Sequence, residues 1–517
     1  MRAYRLVIVE LVGILLLLSA RVLPAQPLPE LTKGDLVRIE ELYHFSDRVA
    51  GEILPGFDMR TVPVAINLND QAEFLIAHPQ PPQEFVRWEG VSVGDKTVFR
   101  RKGCTTSVAG GTIVPLGGVW TVYVPAKRQG LPTEQHLLLL LHEGLHVYQK
   151  KYRPDTPGDW EEPPNANANY SAMLALESKI LHEAVRTKNE SEAKALCRMF
   201  IAARRERRRG LSDAVVRYEG EEEFIEGTAM YAQARALELL VRNTGITPVH
   251  PGQDPEYGGF RDASTRLEEL VQMILPLPKT VVDFDHAMYL HGMAQCLLLD
   301  RFHPLWKPAI SRSGVTQTQL LERACPVEGQ EQVRLLEEAR RRFRYDGILA
   351  DQTQQIARWL EIVHGYLNAA GRRYKIYHGP IGGRFNWKPK GPLYKLGETW
   401  IWAGGIRRFE RGPLVFESKE VPVIFTQEYL EWIDREPDPT GNDLKMTYSG
   451  RDGDTYTGLS VETDGFKMSV PRAMVTMDNK TFEIRPVSAT REGRSDSHAA
   501  RQRLRIGPCG SALGQID

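Results

Sequence analysis

Residues 137–150 read LLLLLHEGLHVYQK. Two histidines four residues apart, with a glutamate directly after the first, follow a leucine run. At 3.6 residues per turn, His142 and His146 leave the same face of a helix one turn apart, so both imidazoles can reach one tetrahedral metal ion. Glu143 lies about 100° round the helix. It is therefore poorly placed as a third ligand and well placed to take a proton from a water bound at the metal. The competing reading is a buried leucine helix with chance histidines. The chain carries 13 histidines in 517 residues, for which the random occurrence of HExxH is roughly 0.02. Burying two imidazoles and a carboxylate among leucines without compensation is also costly. The stretch is read as a metal-binding helix. Leu181-His182-Glu183 is a useful control, because position 186 is Arg186 and no second histidine follows.

Two histidines leave a catalytic metal site one protein ligand short. Positions 149 and 152 are Gln149 and Tyr152, so an HExxHxxGxxH extension is absent. A glutamate from a later helix is the other common solution. The stretch EGEEEFIEGTAMYAQARALEL, 219–239, offers Glu226 between apolar Phe224 and Ile225 and the small residues Gly227, Thr228 and Ala229, which permit close helix packing. Glu177 in YSAMLALESKIL is the main rival, and Glu222 follows. Glutamates 221 to 223 read as a solvated helix start, favoured there by the helix dipole.

HEGLH followed by IEGTAMY resembles the gluzincin metallopeptidases, in which HExxH is completed by a glutamate in a segment like EGxAxY. The resemblance implies a zincin-like catalytic domain with Zn2+ as cofactor. His142, His146 and Glu226 would be its ligands, Glu143 the general base, and a peptide or protein the substrate. The 79 residues between His146 and Glu226 exceed the gap usual in such families, which implies an inserted pair of helices. The resemblance also assigns Tyr289, in the YLHG stretch 289–292, to stabilising the oxyanion. His286 and His291 are alternatives for that role, and plain helix packing is the structural explanation. In the resembling enzymes the strand before the active helix is a sheet edge that takes up substrate. This points to Trp120, Val122 and Val124 in GGTIVPLGGVWTVYVP, with an ordinary sheet strand as the alternative. The exopeptidase motif of aminopeptidases is absent, which favours an endopeptidase.

The rest of the chain sets bounds. Lys+Arg and Asp+Glu number 66 each, so no nucleic-acid surface is expected. Arg2 and Arg5 precede the apolar LVIVELVGILLLLSA, which reads as an export signal cut after Ala25 and places the protein outside the cytoplasm, secreted or in the periplasm or cell envelope. Glu10 and Leu23 fit that reading poorly, so an uncleaved membrane anchor is the alternative. The oligomeric state is left open. Five cysteines, Cys104, Cys197, Cys296, Cys325 and Cys509, form no CxxC pair, and their odd number leaves at least one outside any internal bridge.

Residues 26–60 read as helical, and short β-branched and aromatic runs separated by glycines follow from VPVAINL to GGVWTVYVP. Helical periodicity follows near 134–152, 169–187, 190–209, 213–242, 262–275, 283–302 and 329–368. Beyond these, short strands with Gly and Asp-Gly turns return. The expected fold is α+β. A signal or anchor at 1–25 precedes a mainly helical zincin-like domain with a small N-terminal sheet at 26–372, a β-rich accessory domain at 373–488 and a disordered tail at 489–517. The basic runs ARRERRRG, 203–210, and EEARRRFRYD, 337–346, read as solvated helix faces. Trp387, Tyr394, Trp400 and Trp402 read as core and turn aromatics, with glycan or substrate binding as the alternative.

Overall fold

The structure is a computed structural model. It describes residues 29–69, 71–105, 110–127, 130–152, 164, 166–243, 245–277, 281–310 and 314–368, and, between 372 and 486, chiefly the strands. The segments read as signal and tail lie outside the described residues, as do the side chains of Trp387, Tyr394, Trp400 and Trp402. Among the described residues no helix is long and apolar enough to cross a membrane. The fold is α+β: a small sheet, a helical body and a C-terminal β-rich region follow one another along the chain.

Helix α1 (Lys33–Ile53) opens with a capping box in which Thr32 and Asp35 satisfy each other's backbone N–H groups. The sheet follows as β1 (Val64–Leu68), β2 (Ala72–Ile76), β3 (Val86–Val93), β4 (Lys96–Lys102), β5 (Thr112–Leu116) and β6 (Val119–Pro125). Their order is β3-β4-β2-β1-β6-β5, antiparallel except for the β1–β6 pair. Alternation divides the side chains between two cores. Val64, Ile66, Val122 and Val124 join the main helical core, whereas Ala65, Leu75 and Tyr123 pack with Phe85 and Leu116 on the other face.

The helical body comprises α2 (Thr133–Gln149), α3 (Ala168–Arg186), α4 (Glu190–Arg208) and α5 (Asp213–Glu222). A π-helical turn, Glu223–Gly227, leads into α6 (Thr228–Arg242). Then come α7 (Ala263–Gln272), α8 (Phe284–Phe302), α9 (Trp306–Ile310), α10 (Gln317–Ala324), α11 (Gly329–Arg342) and α12 (Tyr345–Leu367). Leu137, Leu140, Leu141 and Leu145 fix α2 in the main core. The segment expected as one helix over 329–368 is two. Arg344 adopts a left-handed conformation, φ 53°, between them. A single helix of that length would run about 60 Å, whereas the break lets α11 pack on α4 and α12 on α3.

The second sheet comprises β7 (Arg372–Tyr377), β8 (Phe385–Pro389), β9 (Leu393–Leu396), β10 (Thr399–Trp402), β11 (Ile406–Arg411), β12 (Leu414–Ser418), β13 (Val423–Phe425), β14 (Tyr429–Asp434), β15 (Lys445–Thr447), β16 (Gly450–Asp452), β17 (Thr455–Glu462), β18 (Phe466–Met477) and β19 (Thr481–Pro486). Its order is β8-β11-β12-β18-β19-β7-β14-β13-β10-β9, with β17 also paired to β18 and β15 and β16 paired to β17. Its core holds Tyr374, Phe416, Val461 and Ile484. Val363 of α12 packs on Ile401 and Ile424 of this sheet.

The run ARRERRRG is not a solvated face throughout: Arg204 and Arg207 are buried. Arg204 Nε donates to Glu177 Oε2 at 3.0 Å and its Nη1 to Glu223 Oε2 at 2.8 Å. Arg207 bonds Glu177 Oε1 at 2.6 Å and also Glu219, while Arg208 Nε donates to Glu219 Oε2 at 2.7 Å. Three arginines thus meet three buried glutamates, tying α3, α4, α5 and the π turn together. Losing one partner of such a buried set leaves an uncompensated charge, worth about 3–5 kcal/mol. Burial opposes ionisation of Glu219, but Arg207 and Arg208 hold its pKa down at about 2, against 4.5 for the free side chain. Because the folded value is the lower one, this stabilisation is complete above pH 4.5 and disappears as the pH falls towards 2. It amounts to about 3 kcal/mol. Urea unfolding at pH 5 and pH 2.5 should therefore show a smaller acid-induced loss of stability for Glu219→Gln than for the unaltered chain. Equal losses would exclude the assignment.

Candidate metal centre

Helix α2 presents His142 and His146 one turn apart, their rings 4.7 Å between centroids and nearly perpendicular. Both Nε2 atoms point at one carboxylate oxygen: His142 Nε2 is 3.2 Å and His146 Nε2 3.3 Å from Glu226 Oε2. Two ligands held 2.0–2.1 Å from one ion at the tetrahedral angle lie about 3.3–3.4 Å apart. The triad therefore fits a single metal ion, and two nitrogens with one carboxylate oxygen leave a fourth position open. His142, His146 and Glu226 are the one group among the described residues whose donor atoms converge in this way, all within 4.8 Å of one another.

Glu226 reaches the histidines because of its backbone. In a regular α-helix Glu223 and Glu226, three apart, would share a face. The π turn winds more widely and separates them. Glu223 turns inward to Arg204, and Glu226 turns to α2. The turn also crosses α8 without side chains between them. A Cβ added at Gly227 would overlap the Gly292 backbone, and one at Gly292 would overlap Gly227 and the Glu223 carbonyl. This close crossing brings Tyr289 of α8 to the site, hydrogen-bonded to Glu226 and with its ring 6.3 Å from that of His142. The tyrosine hydroxyl is pushed well above its ordinary pKa by burial and by the Glu226 carboxylate. It stays protonated and able to donate.

Electrostatics around the triad oppose one another. Burial works against a charged His146, but the Glu226 carboxylate outweighs it and raises the histidine to about 9. Glu226 in turn, despite burial, is held far below the carboxylate range by His146 and His142. These pairings keep a negative oxygen facing the two imidazoles, the arrangement in which a cation replaces the protons. Glu143 is buried beside the triad. Burial raises its pKa first and the Glu226 charge adds to it, against the two histidines. A Cβ at Gly111, just before β5, would overlap the Glu143 side chain, so the strand passes directly over this carboxylate.

Other expected site residues fall elsewhere. Strand β6 is paired on both sides, to β1 and β5, so it is not the edge. Val122 and Val124 are fully buried in the core, and Trp120 lies beneath the Lys150 ammonium at 4.6 Å. The edge near the metal centre is β5, because β6 needs both its edges to complete the sheet between β1 and β5. Glu177 has both carboxylate oxygens on arginines and is not a ligand, and Glu222 is outside the converging group. Glu223 belongs to the buried charge network, not to a solvated helix start. His291 is also fully buried. It contacts Ser178 at 2.7 Å and Arg204 at 3.1 Å, away from the oxyanion role considered for it.

Two glutamines in the site went unread in the sequence. His146 Nδ1–H donates to Gln149 Oε1 at 2.9 Å, while Gln149 Nε2 donates to Ile225 O at 2.8 Å and Thr228 Oγ1 at 2.5 Å. Gln149 thus ties one ligand to the turn bearing another. Gln233 Nε2 lies 3.1 Å from His142 Nδ1. When His142 Nε2 holds a metal, its Nδ1 carries hydrogen, and the Gln233 amide serves it by turning Oε1 inward. The positions 149 and 233 carry no motif. Their one signal is spacing, since Gln149 lies three residues beyond His146 on the same helical face.

No protein-family model, curated protein or solved structure matches this chain. Its chemistry is therefore argued from the geometry. Replacing Gln149 or Gln233 by Leu should weaken metal affinity about 10–100-fold, measured by competition with a chromogenic chelator. Affinity within twofold of the unaltered chain would remove the glutamines from the site.

Proposed function

We propose that the chain is a zinc-dependent hydrolase of peptide bonds, acting outside the cytoplasm. The observation that carries this reading is Glu143, a buried carboxylate set beside a converging His142–His146–Glu226 triad and directly under a strand at a sheet edge. A purely structural metal site has no use for a base there. Two imidazoles and one carboxylate with an open fourth position are the donor set of catalytic zinc. Zinc held there supplies Lewis acidity, lowering the pKa of a bound water and polarising the scissile carbonyl.

The chain's own groups perform the remaining work. Glu143 accepts the proton of the attacking water and delivers it to the leaving amine. The Tyr289 hydroxyl exchanges its Glu226 acceptor for the developing oxyanion and donates to it. Among the described residues no strand pairs with the outer edge of β5, whose backbone N–H and C=O groups can pair with an extended peptide, which favours a peptide over a compact ester or amide. The proline in TIVPL suits an edge strand, since an interior strand would need its missing N–H. Substrate addition belongs to β5, with Gly111 passing the chain close over Glu143.

Metal analysis combined with a peptide-library digest tests this reading. The purified protein should hold one zinc per chain and cleave peptides internally. Glu143→Gln should keep the zinc and lose about 10²–10⁴-fold in rate. Glu226→Ala should lose the zinc, whereas Glu177→Ala should lower stability yet keep zinc in the folded fraction. A zinc-free wild type would end the proposal. Zinc-loaded wild type and Glu143→Gln that are equally inert towards peptides would leave a binding protein or a hydrolase of other amides or esters.

Gly111→Ala tests the strand assignment separately. The added methyl meets the Glu143 side chain, so kcat should fall at least about tenfold with zinc content unchanged. A variant with normal kcat would separate β5 from the reacting centre.

A further inference from the structure

Cys197 lies on α4 and Cys325 at the C-terminal end of α10, and both are fully buried in the main core. Their thiols hydrogen-bond to each other. The surrounding contacts hold the two segments side by side. On one flank Arg198 Nε donates to Pro326 O at 3.1 Å, and on the other Arg205 Nε pairs with Glu322 Oε1 at 2.9 Å while its Nη1 donates to Val327 O at 2.8 Å. The chain from Glu322 to Val327 thus runs along α4 with the two sulfurs facing inward. Cys296 is buried on another helix, against Gln317 and near Asp300.

We propose that Cys197 and Cys325 form a disulfide when the chain folds in an oxidising medium. The bond would close a loop that contains the π turn with Glu226, Gln233 on α6 and Tyr289 on α8, and so would fasten both ends of the segment that completes the metal centre. The inference is independent of the proposed hydrolysis.

Before the core closes, the thiolate of one of the two cysteines attacks a sulfur of a small disulfide such as oxidised glutathione, forming a mixed disulfide and releasing one glutathione thiolate. The other cysteine then gives up its proton and attacks the protein sulfur of that mixed disulfide, releasing the second glutathione. Two cysteine thiols are oxidised, one glutathione disulfide is reduced to two thiols, and the protons go to the departing thiolates. Because both sulfurs are inaccessible in the folded chain, exchange belongs to folding, and afterwards the core shields the bond from reductant.

The full chain, reduced and unfolded, is refolded in reduced and oxidised glutathione, then alkylated in denaturant and digested with trypsin. The expected product joins ALCR, carrying Cys197, to ACPVEGQEQVR, carrying Cys325. Recovery of both peptides alkylated from protein with native far-ultraviolet dichroism would overturn the proposal, and so would either cysteine bridged to another. Reduction after unfolding, followed by refolding without oxidant, should lower Tm by about 5 °C. The double variant Cys197→Ala/Cys325→Ala should show no Tm difference between the two refolding conditions. A difference persisting in that variant would assign the effect to another bridge and also overturn the proposal.

Discussion

Where the π turn crosses α8, Gly227 and Gly292 meet backbone to backbone, leaving no room for a Cβ on either. The metal centre depends on this contact. It sets the distance of α8 from the turn and thereby places Tyr289 against Glu226. The turn itself must be wide enough for Glu223 and Glu226 to face different ways. Glycine at both crossing positions and a π turn between α5 and α6 are thus one solution to one spatial problem. A ligand must reach α2 while its neighbour three residues earlier stays anchored in the core.

That anchor is ionic, and its placement follows from electrostatics. A wide helical turn gives up regular hydrogen bonding and needs external support. Arg204 supplies it by bridging Glu223 to Glu177 on α3, and Gln317 Nε2 adds a bond to Glu223 O at 2.7 Å. The buried charges balance, and His291 stays uncharged because burial, followed by Arg204, pushes its pKa down to about 3. A charged His291 would unbalance the set. As a neutral ring it takes a bond from Arg204 and gives one to Ser178, linking α8 to the same support. Such a network adds little net stability over an apolar core. Its directional bonds do fix α3, α4, α5, the π turn, α8 and α10 to one another.

Much of this was legible in the sequence because it is local. His142, Glu143 and His146 declare themselves through helical periodicity, and the leucines before them declare the burial of α2. The helix limits follow from the same periodicity, apart from the short α9 and α10, the π turn that divides the stretch 213–242 and the break at Arg344. Glu226 could be singled out because small residues follow it, and Gly292 could be read as a close-contact position. What the sequence hid is relational. ARRERRRG looks like a solvated face, since nothing local shows that Glu177, Glu219 and Glu223 will meet it. Strand β6 precedes α2, a position that points to it as the edge, yet β1 pairs with it and leaves that place to β5. The signal that could have corrected this was Pro115, a residue poorly suited to an interior strand. Gln149 carries a local mark only towards His146, whereas its bonds to the π turn and the Gln233 contact with His142 span 75 or more residues.

The long interval between His146 and Glu226 takes on a different meaning in this light. In sequence the resemblance reads it as an inserted pair of helices. In the structure it is occupied by α3, α4 and α5, the helices that carry Glu177, Arg204, Arg207 and Glu219. The interval therefore contains the support for the ligand that ends it. The two halves of the candidate centre thus lie on opposite sides of a helical unit held together by its own buried charges. Loop closure over this distance is costly mainly in entropy and grows only slowly with length. The interval consequently adds little cost for the stiffness it provides. A shorter connection could bring Glu226 near the histidines, but it would lack the arginines that hold Glu223 inward while Glu226 faces His142 and His146.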